Sequence, residues 1–162
     1  MKTLLRTFLS GASLVTALLS VTSYAAGTTI DVYKSPSCGC CTKWIDHLRA
    51  NGFTVRGLDV SNNDAARKGA GIPAALGSCH TALVNGYAIE GHVPAQDIKR
   101  LLKQRPKAIG LTVPGMPMGS PGMEGPRSEP YNVLLIDQQG GTTVYSRHVP
   151  SDQSDSVLKL KP

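Results

Sequence analysis

Short apolar runs with a period of two alternate along this chain with longer runs of helical period. In chain order the pattern predicts a strand at 28–33, a helix from about 40 that ends at 51–52, a strand at 53–60, a short helix at 65–70, strands at 81–84 and 87–90, and a helix from 94 that stops before 106. The pair Asn85-Gly86 between the last two strands is a strong signal for a tight hairpin. The predicted order is therefore β-α-β-α-β-β-α, with a parallel first pair of strands and an antiparallel hairpin.

This order predicts an α/β fold, a thioredoxin-like mixed sheet with helices on both faces. In such folds the redox dithiol lies between the first strand and the first helix, and the residue just before the third strand faces it. The dithiol position here is taken by Cys38 and Cys41, and the facing position by Cys79 or His80. We therefore expect all four cysteines of the chain to converge on one spot.

Three of the four cysteines are packed into Cys38-Gly39-Cys40-Cys41, and the fourth, Cys79, stands far downstream. If the protein is exported, as its first 25 residues indicate, four cysteines would ordinarily form two structural disulfides. Bridge geometry disfavours that arrangement here, because a bond between the neighbours Cys40 and Cys41 is strained and a Cys38–Cys40 bond closes a very small ring. Only Cys38–Cys41 is comfortable, which leaves Cys40 to pair with Cys79. Such crowding suits a soft metal ion or disulfide exchange, since both use thiolates.

The first 25 residues have the layout of a cleaved secretory signal peptide. They carry Lys2 and Arg6, then the apolar run 14–21, and then Ser23-Tyr24-Ala25 as a small-residue cleavage site. The apolar run is far shorter than the ~20 residues of a membrane-spanning helix, although an uncleaved N-terminal anchor is the alternative. We therefore expect an exported protein without a membrane span in the mature chain. Residues 26–150 would form one domain, and residues 151–162 a flexible tail.

The chain is mildly basic, with 17 Lys and Arg against 11 Asp and Glu. The basic residues are scattered rather than clustered, so the sequence does not indicate a nucleic-acid partner. Its acidic residues form no close pair for acid–base hydrolysis, and no phosphate-binding glycine loop, Ser/His/Asp arrangement or double Cys-x-x-Cys zinc ribbon is present in the sequence. The cysteines are therefore the main candidates for chemistry.

Residues 110–130 are rich in glycine and proline and show no helical or strand period. This segment holds Met116, Met118 and Met123, which are all of the methionines that follow the signal peptide. Methionines clustered in a loop of an exported protein are typical of thioether ligands for Cu(I), although loop methionines can also cover a hydrophobic face. After the segment, the pattern predicts a C-terminal hairpin at 131–149 that extends the sheet.

The positions of the four histidines suit metal binding to different degrees. His80 follows Cys79 and faces the predicted dithiol loop, so a ligand role and a structural role are equally open. His92 ends a strand before a helix. It could support the metal ligands from outside or bind metal as it enters, but an ordinary structural role is favoured. We interpret His47, two turns along the first helix, as a surface residue, and His148 near the end of the chain as incidental.

Four motifs, in order along the chain, resemble the CopG-type family of copper-resistance proteins of Gram-negative bacteria. They are YKSPSCGCC-x2-W at 33–44, SCHTA at 78–82, Y-x-IEGHVPA at 87–95 and GL-x-VPGMP-x-GSPGM at 110–123. The resemblance covers nearly all of the chain after the signal peptide. It implies a periplasmic, thioredoxin-like protein of copper homeostasis whose cysteines hold a multinuclear, thiolate-bridged copper cluster. A redox role, or transfer of copper to partners, is the usual proposal for the family.

The sequence therefore predicts a periplasmic copper-binding protein of copper homeostasis or resistance that holds Cu(I) in a multinuclear thiolate site. The candidate ligands are Cys38, Cys40, Cys41 and Cys79, followed by His80, Met116, Met118 and Met123. The expected partners are copper ions and other periplasmic copper-handling proteins, with redox cycling or relay of the metal as the finer expectation. Zinc would also accept four cysteines, but it needs no methionine loop, and this difference favours copper.

The alternative function is that of a thiol–disulfide oxidoreductase with a Cys38–Cys41 dithiol, whose copper binding is incidental. The extra Cys40 inside the motif argues against it, as does Cys79 or His80 where thioredoxins carry a proline that helps to bind substrate peptides. The N-terminus of a helix favours a thiolate and so lowers a thiol pKa, which would suit either copper binding or disulfide exchange. Whether the protein is an enzyme depends on which of the two functions it performs.

Overall fold

The computed structural model describes residues 28–150, and the predicted signal peptide at 1–25 and flexible tail at 151–162 lie outside the described residues. In chain order the elements are β1 (Thr29–Lys34), α1 (Gly39–Ala50), β2 (Thr54–Asp59), α2 (Asp64–Gly69), a 3-10 turn (Ala74–Leu76), β3 (His80–Val84), β4 (Tyr87–Glu90), α3 (Ala95–Gln104), β5 (Gly110–Thr112), β6 (Tyr131–Ile136) and β7 (Thr142–His148). The helices and strands predicted from the hydrophobic pattern are present, and their ends differ from the predicted ones by a residue or two. Over residues 28–150, no helix has the length and apolar character needed to cross a membrane.

The strands form one mixed sheet in the order β2-β1-β3-β4-β5-β6-β7. β1 is parallel to β2 and antiparallel to β3, and β3 and β4 form a hairpin. Its turn has positive φ at both Asn85 (47°) and Gly86 (83°), a conformation that these two residue types adopt more readily than others. The parallel first pair and the antiparallel hairpin that the sequence predicts are therefore both present.

Ala88 and Ile89 mark the two faces of the sheet, because successive residues of a strand point to opposite faces. Ile89 belongs to the main core, which also includes the buried faces of α1 and α3. Ala88 belongs to a smaller cluster with Ile72 and Ile136, and Ala70 at the end of α2 packs against it. Helices thus cover both faces of the sheet, as the predicted fold class requires.

Helix α1 buries one face of its surface in the main core. Trp44, Ile45 and Leu48 are buried, and their spacing of one, three and four residues places them on the same side of the helix. The indole N–H of Trp44 donates a hydrogen bond of 2.9 Å to the carbonyl oxygen of Val93, just before α3. This packing holds the first turn of α1, with its cysteines, at the end of β1.

Residues Gly110–Thr112, at the start of the segment expected to lack regular structure, form strand β5. This strand is parallel to β4 and antiparallel to β6, so it joins the C-terminal hairpin to the rest of the sheet. Three residues are too few to show a period in the sequence. A Cβ added to Gly110 would lie 1.7 Å from the carbonyl oxygen of Ala88, so this strand requires glycine where it passes β4. From 113 to 130 the backbone is irregular, as predicted.

Candidate metal centre

The four cysteines lie together at the end of the sheet where β1 finishes and β3 begins. The antiparallel pairing of these two strands sets Lys34 opposite His80, so the loop that follows β1 comes beside Cys79. Cys38 is the N-cap residue of α1, and the other two cysteines of its motif stand in the first turn of the helix. The strand pairing therefore brings the three clustered thiol positions to the fourth.

The sulfur atoms of this cysteine cluster are close enough to share a metal ion. The Sγ atom of Cys40 lies 3.5 Å from that of Cys38 and 3.9 Å from that of Cys79. All four sulfurs lie within 4.8 Å of one another. Cys38 and Cys41 are joined by a disulfide, whereas Cys40 and Cys79 are free thiols. The pair with comfortable geometry is thus bonded, and the second pair that a purely structural arrangement would require is not.

Two buried histidines contact the sulfur of Cys79. Nε2 of His92 lies 3.0 Å from this sulfur, and Nδ1 of His80 lies 3.3 Å from it. Nδ1 of His92 is also 2.8 Å from the carbonyl oxygen of Pro121. Because a carbonyl oxygen only accepts hydrogen bonds, Nδ1 of His92 carries the hydrogen and Nε2 turns its lone pair towards Cys79. Cys79, His80 and His92 thus form a second group of potential ligand atoms that shares Cys79 with the cysteine cluster.

The imidazole of His80 has one nitrogen without a hydrogen-bond partner. The ring is fully buried, with its centroid 4.3 Å from that of Trp44 and 5.0 Å from that of His92. Its Nε2 atom has no hydrogen-bond partner among residues 28–150. A buried polar atom left unpaired costs on the order of 1–3 kcal/mol. The ring is therefore held by its packing and by Nδ1 beside Cys79, while Nε2 is a buried polar atom without a partner.

Burial sets the protonation states of the groups around Cys79. It lowers the pKa of His80 to about 3, with a further contribution from His92, and it lowers the pKa of His92 as well. Burial and the neighbouring Cys40 raise the pKa of the Cys79 thiol to about 12. At neutral pH the metal-free site therefore presents two neutral imidazoles and a protonated thiol. A metal ion that binds Cys79 must displace the thiol proton, whereas the imidazoles are already in their ligating form.

The Gly/Pro/Met-rich segment covers the cluster at Pro121 and Gly122. Pro121 accepts the hydrogen bond from His92, and a Cβ added to Gly122 would lie 2.8 Å from the carbonyl oxygen of Cys40 and 2.9 Å from the backbone nitrogen of Trp44. Gly122 also has a φ of +86°, in the region that side chains other than glycine rarely adopt. Glycine at this position therefore allows the segment to approach the first turn of α1.

The three methionines of the segment are placed differently. Met116 is 52% exposed, whereas Met118 and Met123 are half-buried. Met123 directly follows Gly122, and the methyl group of Met118 lies against Gly125, where an added Cβ would be 2.5 Å from it. Coordination of a metal by any of the three stays a prediction.

The two histidines interpreted as peripheral make specific contacts. His47 is half-buried rather than a surface residue, and its Nε2 accepts a hydrogen bond of 3.1 Å from the N–H of Ala95 at the start of α3. Nε2 of His148 lies 2.8 Å from the buried carboxylate of Asp97, and its ring stacks on Tyr131 with centroids 4.8 Å apart. The contact of His47 with Ala95 spans 48 residues of chain, and that of His148 with Asp97 spans 51, so no local sequence pattern predicts them.

The donor atoms of the site fit a soft metal ion. Four sulfurs converge with two imidazoles, and thiolate and imidazole nitrogen are the ligand types that Cu(I) and Zn²⁺ prefer. Both imidazoles are completely buried, whereas three of the four cysteines are only partly buried. A metal ion can therefore reach the cysteines from solvent and meet the histidines behind them.

This chain matches one family model and is similar to two solved structures. A family model described as a protein of unknown function, DUF411, matches residues 76–123, which include Cys79, both buried histidines and the three methionines. Two solved structures named copper resistance protein CopG, Form 2 and Form 1, are 43% and 42% identical to this chain. Each comparison covers 76% of this chain and 99% of the other, with a TM-score of 0.72. None of the curated proteins matches this chain.

Proposed function

Because this chain belongs to the family of CopG copper resistance proteins, we propose that it is a periplasmic protein of copper resistance that holds Cu(I) through cysteine thiolates. The observation that carries the proposal is the convergence of Cys38, Cys40, Cys41 and Cys79, whose sulfurs lie within 4.8 Å of one another. Thiolates are soft ligands and select Cu(I) over hard cations. The cluster would bind copper as cargo to be sequestered or passed on.

The overlap of two ligand groups supports binding of more than one copper ion. Cys79 belongs both to the cysteine cluster and to the group with His80 and His92. A thiolate sulfur has several lone pairs and can bridge two metal ions. Cys79 would then connect copper held by the other cysteines to copper held by the imidazoles.

Copper loading requires the reduced cluster, because a disulfide sulfur is not a thiolate. A dithiol reductant would donate two electrons and two protons to the Cys38–Cys41 bond and would leave as a disulfide itself. The reduced chain then offers four thiols, and each releases its proton when it binds copper. The redox state of this bond would therefore decide whether the site holds all of its copper, which suits redox-linked relay of the metal.

The methionines support transfer of copper to and from the cluster. Thioether sulfur binds Cu(I) without carrying a charge, so it holds the ion less firmly than a thiolate does. Met116 is exposed to solvent, while Met123 follows the glycine that contacts Cys40. The segment would offer soft donors between solvent, where another periplasmic copper-handling protein can approach, and the cysteines.

An anaerobic titration of the reduced protein with Cu(I) tests the proposed function. Trp44 is the only tryptophan of the chain and its ring lies 4.3 Å from that of His80, so its fluorescence reports on binding at the site. We expect more than one Cu(I) per chain, with X-ray absorption at the copper edge dominated by sulfur and a smaller nitrogen contribution. A protein that binds no copper, or that prefers zinc, would overturn the proposal.

The disulfide favours a second candidate function, thiol–disulfide exchange. It joins Cys38 and Cys41 across two residues between β1 and α1, the position expected for a redox dithiol. Cys40 lies 3.5 Å from Cys38, so a third thiol that a simple redox dithiol does not need stands beside this bond. Reduction of a model disulfide by copper-free protein, undiminished by Cys40→Ser, would favour this second function.

A further inference from the structure

Glu90 is a fully buried carboxylate at the end of β4, close to the cysteine cluster. Its Oε1 atom accepts hydrogen bonds from the backbone N–H of Ser78 at 2.7 Å and from Nε of Arg67 at 2.8 Å. Its Oε2 atom accepts a hydrogen bond of 2.6 Å from the hydroxyl of Thr81, the residue that faces Glu90 across the hairpin. Three donors, one on α2 and two at the start of β3, thus converge on one carboxylate beside Cys79.

The Glu90–Arg67 ion pair is poorly explained by stability alone. Removing a carboxylate from water costs several kcal/mol in order of magnitude, and a buried pair often does no better than apolar residues of the same size. Arg67 is itself largely buried, with 12% of its side chain exposed. The position of the pair within the fold therefore suggests a role in holding particular atoms in place.

The atoms held by this pair belong to the residue that precedes Cys79. Glu90 accepts the hydrogen bond from the N–H of Ser78, and Nη2 of Arg67 donates a bond of 2.7 Å to the carbonyl oxygen of Ser78. Both polar groups of the Ser78 backbone are thereby fixed, which fixes the peptide that enters Cys79. The hydroxyl of Ser78 in turn donates to the carbonyl oxygen of Gly115, which precedes Met116.

The backbone around this turn leaves no room for it to move towards β4. A Cβ added to Gly91 would lie 2.6 Å from the Cβ of Ser78 and 2.6 Å from the carbonyl oxygen of Val113. Gly91 has a φ of +69° and lies between Glu90 and His92. The turn before Cys79 is therefore packed against Gly91 and hydrogen-bonded to the Glu90–Arg67 ion pair.

We propose that Glu90 and Arg67 are positioning residues of the copper site, which hold the sulfur of Cys79 where it meets both Cys40 and His92. This inference rests on the proposed copper-binding function. Outer groups that orient metal ligands typically contribute about tenfold to a hundredfold to metal affinity. Neither side chain belongs to the two groups of potential metal ligands, so the effect of both residues would pass through Cys79.

Replacement of Glu90, with a matched control elsewhere, tests the inference. In Glu90→Ala we expect Cu(I) affinity, measured anaerobically by competition with a chromophoric chelator, to fall about tenfold or more. Glu90→Gln keeps hydrogen-bonding atoms for Ser78 and Thr81, so it should recover most of the affinity. The control is Asp97→Ala, which removes another buried carboxylate that pairs with an arginine, Arg100, but on α3. It should lower thermal stability and leave Cu(I) affinity unchanged.

Two further measurements separate positioning from general stability. In a Cys79→Ser background, Glu90→Ala should cause no additional loss of Cu(I) affinity, since its effect passes through Cys79. In metal-free reduced protein, alkylation of Cys79, quantified by peptide mass spectrometry, should be several-fold faster in Glu90→Ala than in wild type. If Glu90→Ala does not fold, Thr81→Val removes one of the three hydrogen bonds at nearly constant volume and is expected to act in the same direction.

The possible failures are distinguishable. If wild-type protein binds no Cu(I), the proposed function itself is overturned. Wild-type protein that binds Cu(I), together with a Glu90→Ala variant of unchanged affinity and unchanged Cys79 alkylation, would overturn only the positioning role. Equal loss of affinity in Glu90→Ala and Asp97→Ala would likewise show that the effect is one of stability.

Discussion

The Nε2 atom of His92 lies 3.0 Å from the sulfur of Cys79, although thirteen residues separate them in the chain. The β3–β4 hairpin produces this contact, because it pairs Thr81 with Glu90 and so brings the residues just beyond that pair to the same end of the sheet. The hydrogen bond from His92 to Pro121 then turns the unprotonated nitrogen towards the sulfur. His92 is thus part of the candidate site, whereas the sequence pattern favours an ordinary structural role for it.

We expect His92→Leu to lower Cu(I) affinity by about tenfold or more, because it removes a nitrogen donor and releases Pro121. X-ray absorption at the copper edge should lose nitrogen scattering in the variant. His148→Leu is the matched control, since its imidazole contacts Asp97 and Tyr131 and should leave copper binding unchanged. Unchanged affinity and spectrum in His92→Leu would remove this residue from the ligand set.

Cys79→Ser should lower the number of Cu(I) ions bound by each chain, because a hydroxyl oxygen is a poor ligand for a soft ion. The effect should exceed the loss of one ligand if Cys79 bridges the two ligand groups. Titration of reduced protein under anaerobic conditions gives the stoichiometry. An unchanged stoichiometry would remove Cys79 from the site, and the same experiment with Cys40→Ser tests the sulfur that a simple redox dithiol does not need.

The sequence predicts the fold well because its signals are local. Alternation with a period of two, the Asn85-Gly86 turn and the apolar face around Trp44 each depend on neighbouring residues. Strand β5 was not predicted because its three buried residues are held by hydrogen bonds from β4 and β6, which lie elsewhere in the chain. The convergence of the cysteines could be predicted because the topology itself determines it.

The interpretation of the histidines shows where sequence patterns stop being informative. His92 precedes a helix and His47 lies in one, so the hydrophobic pattern predicts an ordinary strand-end residue and a surface residue. Their actual contacts, with Cys79 and with Ala95, cross between elements. One signal was present for His92: it lies in the same short motif as Glu90, so two polar side chains end a strand that is otherwise apolar.

Gly122→Ala should disturb the segment that covers the cysteines. The new methyl group would lie 2.8 Å from the carbonyl oxygen of Cys40, in addition to the strain of a φ of +86°. Gly115→Ala is the matched control, because its φ is +68° but a Cβ there meets nothing within 4 Å. The backbone conformation alone should cost about 1–2 kcal/mol in each variant. Thermal unfolding should show a larger loss for Gly122→Ala, and only this variant should alkylate faster at Cys40; equal behaviour of the two would contradict the contact.

Replacing Met116, Met118 and Met123 together by Leu tests the thioether prediction. Leucine has nearly the same volume, and such exchanges usually cost less than about 1.5 kcal/mol each, so the fold should be kept. If the sulfurs assist Cu(I), the variant should take up copper more slowly or bind it more weakly at equal thermal stability. Stopped-flow fluorescence of Trp44 measures the rate. Identical rates and affinities would leave the methionines with a covering role only.

The hydrogen bond from the N–H of Ala95 to His47 predicts a pH dependence of stability. The first N–H groups of a helix have no partner within it, and α3 has no side-chain cap from its N-cap residue, Pro94. Nε2 of His47 can accept this bond only when it is unprotonated. Burial lowers the pKa of His47 below its usual value of about 6.5, against the opposing effect of Glu124. The unfolded chain therefore takes up the proton at a higher pH than the folded chain does.

It follows that the contribution of His47 to stability is complete above about pH 6.5 and is lost as the pH falls below that value. His47→Gln offers an acceptor oxygen that does not titrate, so at pH 8 the variant should unfold within about 1 kcal/mol of wild type. Between pH 7 and pH 5 the stability of wild type should fall more steeply than that of the variant in urea unfolding. Contributions from His80 and His92 are common to both proteins and cancel in the difference. Parallel pH profiles for the two proteins would show that His47 does not cap α3 in solution.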